Sequence, residues 1–248
     1  MIFDLTGKVA LVTGAGQGVG AGIARRLADQ GAAIAVNDLV ADRASATVDE
    51  LVERGARALA IQFDVGDYES VVAGVKEIEA QLGPIDVLVN NAGVPENMGV
   101  AKFSETTPAD WASFVDVNLY GVLNCCNVVI KGMCERGFGR VITISSAAGT
   151  AGAPIGVAVY GASKGGGLAF MRNLALEVAR EGVTANCIAL GLMNNVPKEF
   201  LPALAESIPV GRAGDPDEIG ACCVYLASDE AGWMTGQTLQ LNGGSVTT

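Results

Sequence analysis

The segment "YGASK" places a phenol and an ammonium four residues apart, at Tyr160 and Lys164. Side chains at this spacing lie on the same face of an α-helix, so the ammonium can stabilise the ionised phenol. A phenol with a lowered pKa can exchange a proton with a bound molecule near neutral pH. Because the chain contains no histidine, proton transfer must use another group, and the sequence predicts that Tyr160 is the general acid and base.

The attraction of the Lys164 ammonium is about large enough to lower the pKa of Tyr160 toward neutrality. The unperturbed pKa of tyrosine is about 10, and a value near neutrality requires a change of about 3–4 kcal/mol. An ammonium about 5–6 Å away supplies about 3 kcal/mol at an effective dielectric constant of about 20. Ser146 ends an apolar run before Tyr160, and we expect its hydroxyl to hydrogen-bond the oxygen on which charge develops.

The composition is that of a compact globular protein. Half of the 248 residues are hydrophobic and 17% are charged. The net charge of −11 argues against nucleic acids and anionic membranes as partners. No apolar stretch approaches the roughly 18 residues of a membrane span and no signal peptide precedes the first strand-like run, so we expect a cytoplasmic protein.

The cysteines and the absence of histidine restrict the chemistry further. The six cysteines form no C-x-x-C pair and are expected to be reduced thiols. Without histidine the chain cannot carry a Ser-His-Asp triad or an H-E-x-x-H zinc site, and no metal site is predicted.

Apolar, β-branched runs alternate with segments of helical periodicity along the whole chain. Near-continuous apolar strands indicate a parallel sheet covered on both faces. The sequence therefore predicts an α/β fold with a doubly wound, seven-stranded parallel sheet of order 3-2-1-4-5-6-7, in a single domain spanning residues 1–248. The predicted strands are 8–13, 33–38, 58–63, 85–90, 140–145, 184–189 and 237–242, and the predicted helices are 18–30, 42–54, 67–82, 108–136, 160–181 and 215–227.

A glycine-rich turn follows the first predicted strand, in "TGAGQGVG". Glycines allow the backbone to turn tightly and to approach a pyrophosphate, which the N-terminus of the next helix then receives. A flexible turn is the alternative, but the position between a strand and a helix is that of the Rossmann dinucleotide-binding fold. The residues predicted to bind the dinucleotide here are Gly14, Gln17, Gly18, Val19 and Gly20.

Asp38 ends the second predicted strand, eighteen residues after Gly20. A carboxylate at this place can bind the adenosine ribose hydroxyls and repels a 2′-phosphate. Residues 37–42 contain no Arg or Lys, and Gln17 is uncharged, so NAD is favoured over NADP. The alternative role for Asp38 is to cap the helix that starts a few residues later.

The next two strand ends carry further candidates. Asp64 and Val65 can contact the adenine by a hydrogen bond and by apolar packing. Small residues in "NNAG" (Asn91, Ala92 and Gly93) would let the chain pass against the cofactor. Both segments also suit ordinary turns.

Together these segments resemble the short-chain dehydrogenase/reductase family over essentially the whole chain. "TGAGQGVG" is similar to its TGxxxGxG motif, and "NNAG" and "YGASK" resemble its other diagnostic segments. The resemblance implies an NAD(P)-dependent oxidoreductase, commonly a homotetramer. It also implies a catalytic tetrad, whose positions here are Asn118, Ser146, Tyr160 and Lys164. In that tetrad Asn118 would hold a water between Lys164 and solvent, and Lys164 would bind the nicotinamide ribose.

The chain departs from the family pattern in two places. The family has Pro-Gly after the sixth strand and, four residues later, a threonine on the nicotinamide carboxamide. This chain has Leu190-Gly191 and Asn195 there. We expect Gly191, Met193 and Asn195 still to contact the cofactor. The loop from Ser146 to Tyr160 is about one residue longer than in the family, which would reshape the substrate pocket.

The stretch 192–209 is predicted to be a lid, since two prolines divide it into short helical pieces. The predicted lining of the cleft is mostly apolar and indicates an uncharged alicyclic or aliphatic secondary alcohol, or its ketone. That lining comprises Ile155, Val157, Leu192, Met193 and Phe200, each of which could instead be core packing under a loop.

Three alternatives for the function stay open at this point. A 3-oxoacyl-carrier-protein reductase needs a basic docking surface, which the net charge disfavours but Arg172 and Arg180 could supply. Coenzyme A thioesters are also possible substrates, and a non-catalytic NAD-sensing protein could use the same fold.

Apolar residues on more than one side of two long helices, together with the resemblance, predict a homotetramer. These residues are Val122, Leu123, Val128, Val129, Leu168, Met171 and Leu174.

Overall fold

The computed structural model describes residues 2–93, 99–194 and 205–247, and its centre is one parallel sheet of seven strands. The strand order is β3-β2-β1-β4-β5-β6-β7, which confirms the predicted doubly wound topology in a single domain. Every strand lies within two residues of its predicted bounds. The strands are β1 (Val9–Val12), β2 (Ala33–Asp38), β3 (Ala58–Gln62), β4 (Val87–Asn90), β5 (Gly139–Ser146), β6 (Val183–Leu190) and β7 (Thr238–Leu241).

Helices cover both faces of the sheet, as the buried strands require. Helices α1, α2 and α8 pack on one face through residues such as Ile23 and Ile219, and α3, α5 and α7 pack on the other through residues such as Ile78 and Met171. The helices are α1 (Gly18–Asp29), α2 (Ala41–Glu53), α3 (Tyr68–Leu82), α4 (Pro108–Val115), α5 (Gly121–Arg136), α6 (Ala147–Thr150), α7 (Ala158–Val178) and α8 (Pro216–Ala227).

The helix predicted over 108–136 is interrupted by one wide π turn, Asp116–Tyr120. The N–H of Gly121 donates to the carbonyl of Asp116, five residues earlier. A Cβ at Gly121 would lie 2.7 Å from Val65 Cγ2, so the chain passes very close to the segment after β3 here. Hydrophobic periodicity does not reveal such a turn, and π turns are frequent at functional sites.

The continuous helical stretch Pro108–Arg136 is, by length and composition alone, long and apolar enough to cross a membrane. Its inward side chains, including Cys125, Val129 and Met133, belong to the hydrophobic core against the sheet. The apolar side chains on the inward side of this helical stretch are therefore explained by packing within the domain.

A buried amide fixes the strand ends next to the glycine-rich turn. Asn37 Nδ2 donates to the carbonyl oxygens of Ile61 (3.3 Å) and Phe63 (3.0 Å), and its Oδ1 accepts from the N–H of Gly14 at 3.4 Å. The backbone of Asn37 also accepts from the N–H of Ala15 at 2.7 Å. One side chain thus ties β2 to the end of β3 and to the turn after β1.

All six cysteines are free thiols. Burial raises the pKa of Cys126 and of Cys187 to about 12 and that of Cys222 to about 11, so these thiols stay protonated at neutral pH. Within the described residues no cluster of histidine, cysteine, aspartate or glutamate could hold a metal ion.

Candidate active site

A cavity of about 710 Å³ opens at the carboxyl ends of the strands, around the switch point between β1 and β4. The residues predicted to bind a cofactor line it wherever the structure describes them; Asn195 and Phe200 lie outside the described residues, as does most of the predicted lid over 192–209. These lining residues are Gly14, Gln17, Gly18, Val19, Gly20, Asp38, Asp64, Val65, Asn91, Ala92, Gly93, Tyr160, Lys164, Gly191 and Met193.

The turn after β1 has the shape that a pyrophosphate site needs. Gly14 has φ +59°, and a Cβ there would lie 2.8 Å from the Cα of Ala92. Gln17 is the N-cap of α1 and its side chain makes no capping hydrogen bond, so the first N–H groups of α1 remain available to an anion. The residues therefore fit a dinucleotide at this turn.

Asp38 is buried at the end of β2, with 6% of its surface exposed. Its carboxylate accepts hydrogen bonds from the N–H groups of Gly16 and Val40, both at 3.0 Å. Val40 is the N-cap of α2, so the helix-capping alternative for Asp38 is wrong. The carboxylate instead connects the glycine-rich turn to the segment after β2.

Arg43 also lines this end of the cavity, and the sequence analysis missed it. Arg43 lies one residue beyond the segment 37–42, in the first turn of α2, which begins at Ala41. A Cβ on Gly16 would lie 2.5 Å from the Cβ of Arg43. The first helical turn after β2 therefore has to be included when the charge of this site is assessed.

Ser146, Tyr160 and Lys164 meet at the other end of the cavity. Ser146 ends β5, and Tyr160 lies in the first turn of α7, with Lys164 one turn later. Lys164 Nζ donates to the carbonyl of Ile144 at 2.9 Å and lies 6.0 Å from the centre of the Tyr160 ring. The lysine is 6% exposed, and its burial lowers its pKa to about 8.

The predicted decrease in the pKa of Tyr160 is wrong for the chain by itself. Burial raises this pKa, because the phenolate is desolvated more than the phenol, while the hydrogen bond with Ser146 acts in the opposite direction. Desolvation of the phenol outweighs the attraction of the Lys164 ammonium, from which the lowered pKa was predicted.

Asn118 lies in the π turn and is fully enclosed, with 1% exposure. Neither its Oδ1 nor its Nδ2 has a hydrogen-bond partner among the described residues. A Cβ on Gly93 would lie 2.8 Å from Asn118 Oδ1 and 2.5 Å from Lys164 Nζ, so these groups converge on one glycine. A buried amide of this kind needs a hydrogen-bond partner beyond the described residues, and a bound water is one group that would supply it.

The predicted substrate lining is only partly in place. Leu192 and Met193 line the cavity, and Val157 lines a second cavity beside it. Ile155 is 60% exposed and lines neither, so its assignment is wrong: the loop between α6 and α7 turns this side chain to solvent. Ser113 lines both cavities and was missed, since nothing in its helical periodicity marks it.

This fold and site define an oxidoreductase that acts on CH–OH or keto groups with a nicotinamide dinucleotide. A family model described as "Enoyl-(Acyl carrier protein) reductase" matches residues 14–246. The chain belongs to the short-chain dehydrogenase/reductase family.

Several named relatives cover nearly the whole chain. An acetoacetyl-CoA reductase from Shinella zoogloeoides is 41% identical over 96% of this chain and 98% of its own. The (2S)-[(R)-hydroxy(phenyl)methyl]succinyl-CoA dehydrogenase subunit BbsD from Thauera aromatica is 40% identical over 96% of each. The 3-oxoacyl-[acyl-carrier-protein] reductase FabG from Vibrio harveyi is 36% identical over 97% of this chain and 98% of its own.

A solved structure has the same architecture. It is a gluconate 5-dehydrogenase from Burkholderia cenocepacia J2315, in complex with NADP and tartrate, with a TM-score of 0.90. Its sequence is 35% identical, and the match covers 98% of this chain and 96% of that one.

Replacing Lys164 by methionine should stabilise the fold at pH 7 by about 1–3 kcal/mol. The folded-state pKa of about 8 lies below the ordinary 10.5, so the folded protein bears the cost of the buried charge at every pH below about 8. Between about pH 8 and 10 the folded wild type loses this proton while the unfolded chain keeps it. The difference between the two proteins should therefore shrink in urea unfolding at pH 9.5.

Lys131→Met is the matched control, because its side chain is 84% exposed. It should change the free energy of unfolding by less than about 0.5 kcal/mol at either pH. A Lys164→Met protein that is no more stable at pH 7, or whose advantage grows with pH, would contradict the burial argument.

Proposed function

We propose that the protein interconverts 3-oxoacyl and 3-hydroxyacyl thioesters of coenzyme A, with NAD(H) as the hydride carrier. The observation that carries the proposal is the convergence of Ser146, Tyr160 and Lys164 at the end of a dinucleotide-shaped cavity. Two of the relatives named above carry acyl-CoA substrates in their names. A sensor without catalysis has no need of this convergence.

Each side chain has a role that its position supports. A bound nicotinamide supplies or accepts the hydride. Tyr160 gives a proton to the carbonyl oxygen in reduction and takes it back in oxidation, while Ser146 hydrogen-bonds the same oxygen. Lys164 binds the ribose hydroxyls and passes protons toward Asn118, whose amide holds the water that connects the site to solvent.

Free coenzyme A thioesters are favoured over carrier-protein thioesters because an acidic carrier protein needs an extended basic docking surface beside the cleft. Carrier proteins are acidic, and the chain has a net charge of −11. Arg172 and Arg180 are exposed, but they follow Tyr160 by about 18 and 30 Å along the helical rise, so they do not line the cleft of the same chain.

A second candidate is a free, uncharged secondary alcohol or its ketone. The apolar side chains of Leu192, Met193 and Val157 around the cavities favour it, since they offer an alkyl or cyclic group an environment without charge. Both candidates use the same proton transfer through Tyr160 and differ in what surrounds the reacting carbon.

We propose NAD as the cofactor because the Asp38 carboxylate lies where the adenosine ribose binds. Its hydrogen bonds to Gly16 and Val40 hold it in place as an anion that repels a 2′-phosphate. Two observations favour NADP instead: Arg43 lines the same region of the cavity, and the similar solved structure contains NADP.

We also propose a homotetramer, on a surface that differs from the predicted one. Most residues of the predicted set are buried in the chain's own core, and only Leu123 and Val128 are half-buried. Exposed apolar side chains lie elsewhere, and among them are Tyr120 (52% exposed), Leu176 (81%) and Trp233 (fully exposed).

The substrate proposal is tested with NADH oxidation against acetoacetyl-CoA, the same acyl group on a carrier protein, and 2-octanone. We expect acetoacetyl-CoA to have a kcat/KM at least about tenfold above the other two.

Tyr160→Phe should lower kcat by about 10³-fold while binding NADH nearly as the wild type does, because only the proton transfer is removed. Retained turnover in this variant would refute the role of Tyr160, and NADH binding without turnover of any ketone would favour a sensor.

The cofactor proposal is tested by the ratio of kcat/KM for NADH and NADPH. The wild type should prefer NADH, and Asp38→Asn should shift the ratio toward NADPH by at least about tenfold, because it removes the charge and keeps the shape. Arg43→Gln serves as the reciprocal variant and should lower the remaining use of NADPH. A wild type that prefers NADPH and loses this preference in Arg43→Gln would show that Arg43, and not Asp38, selects the cofactor.

Size-exclusion chromatography with light scattering checks the oligomer. We expect four times the mass of one chain, and Leu176→Glu should reduce this mass, because a buried unpaired charge opposes association. Lys131→Glu, on a fully solvated position, is the control. A monomeric wild type would refute the proposal.

A further inference from the structure

A second cavity of about 400 Å³ lies beside the first and shares Ser113 and Tyr160 with it. Three aromatic side chains, Phe103, Trp111 and Phe114, line this cavity, and we call it the aromatic chamber. Because Tyr160 borders both cavities, a molecule whose reacting carbon lies at the phenol can extend into the aromatic chamber.

The aromatic wall is held by contacts of its own. The rings of Phe103 and Trp111 stack at 5.5 Å with an interplanar angle of 20°. Trp111 Nε1 donates to Thr106 Oγ1 at 2.9 Å. Phe114 meets the Tyr160 ring edge-on at 6.3 Å and 68°. The wall is therefore formed before a ligand arrives, and it is in direct contact with the phenol.

The charged residues that line the aromatic chamber, Glu105 and Asp110, are both acidic. Asp110 accepts hydrogen bonds from the N–H and the hydroxyl of Thr107, both at 2.8 Å. These bonds lower its pKa, so the carboxylate is ionised at neutral pH. An anionic group that enters the aromatic chamber meets like charge, with no lysine or arginine among the described lining residues to compensate.

The volume of the aromatic chamber indicates which chemical group it can hold. A dry cavity of about 150 Å³ is enough for a benzene ring, so this space holds a phenyl ring with a short linker. We propose that the aromatic chamber takes an uncharged aryl substituent on the far side of the reacting carbonyl, so that the preferred substrates are aryl ketones or aryl-substituted 3-oxoacyl thioesters. The substrate class rests on the proposed ketoreductase function, whereas occupation of the aromatic chamber does not.

The two tryptophans of the chain allow a binding test that needs no turnover. They are Trp111 and the fully exposed Trp233. In Trp233→Phe, Trp111 is the single reporter, and titration of the full chain with NAD+ and 4-phenyl-2-butanone should give a saturable change in its emission. NAD+ and a ketone are both oxidised, so no reaction accompanies binding.

The matched probe is 4-(3-oxobutyl)benzoate, the same ketone with a carboxylate on the ring. Its dissociation constant should be at least about tenfold higher, because of the acidic lining. The control is Trp111→Phe, in which the emission of Trp233 should not respond to either ketone. Equal binding of the two ketones, or no response of Trp111, would overturn the proposal.

A kinetic test uses 3-oxo-3-phenylpropanoyl-CoA and acetoacetyl-CoA as a pair. Trp111→Leu should lower the ratio of kcat/KM for the aryl over the methyl substrate by at least about tenfold, since the ring loses its stacking surface. Phe103→Leu should lower the same ratio and serves if the first variant does not fold. An unchanged ratio in a folded variant would overturn the proposal. No turnover of either thioester by the wild type would refute the proposed function, while the fluorescence result would still decide the aromatic chamber.

Discussion

The buried ammonium of Lys164 is the constraint around which the cleft is built. A charged group with 6% exposure needs partners, and the described contact is its hydrogen bond to the carbonyl of Ile144. The neighbouring backbone closes in: a Cβ on Gly93 would lie 2.5 Å from Nζ, and a Cβ on Gly149 would lie 3.0 Å from the Cβ of Lys164. The segments after β4 and β5 therefore pass close to the lysine at Gly93 and Gly149, where a side chain would displace neighbouring groups.

Burial raises the pKa of the Tyr160 phenol and lowers the pKa of the Lys164 ammonium, and both changes favour the neutral form of the side chain. A raised pKa keeps the proton on Tyr160 at neutral pH. A protonated phenol is the form that a general acid needs, and it suits the reduction of a ketone better than the oxidation of an alcohol. The same burial that makes Lys164 costly to the fold thus keeps Tyr160 in the protonated form that the proposed proton donor needs.

The apolar pattern of the strands was sufficient to predict the sheet and the residues at the ends of its strands. Apolar strands that are buried on both faces, such as Val9–Val12, have few other interpretations, and the right-handed crossover rule then gives the sheet order. Residues directly after these strands could also be placed, because the carboxyl ends of parallel strands share one edge. Arg43 and the π turn were missed because both depend on where a helix begins or widens, and periodicity does not resolve this to one residue. The direction of the Tyr160 pKa was missed because desolvation depends on packing that only the folded chain shows.

The two ends of the cleft offer different groups to a ligand. The α1 N-terminus, Arg43 and the Asp38 carboxylate lie at the end near β2, where the helix N-terminus favours a phosphate group and the carboxylate favours ribose hydroxyls. Glu105 and Asp110 lie at the opposite end, beyond Tyr160. A dinucleotide whose pyrophosphate lies at the α1 N-terminus would place its adenosine half toward β2 and its nicotinamide half toward the phenol. In the proposed substrate complex, an arm that points past Tyr160 meets Glu105 and Asp110, which favours an uncharged group there.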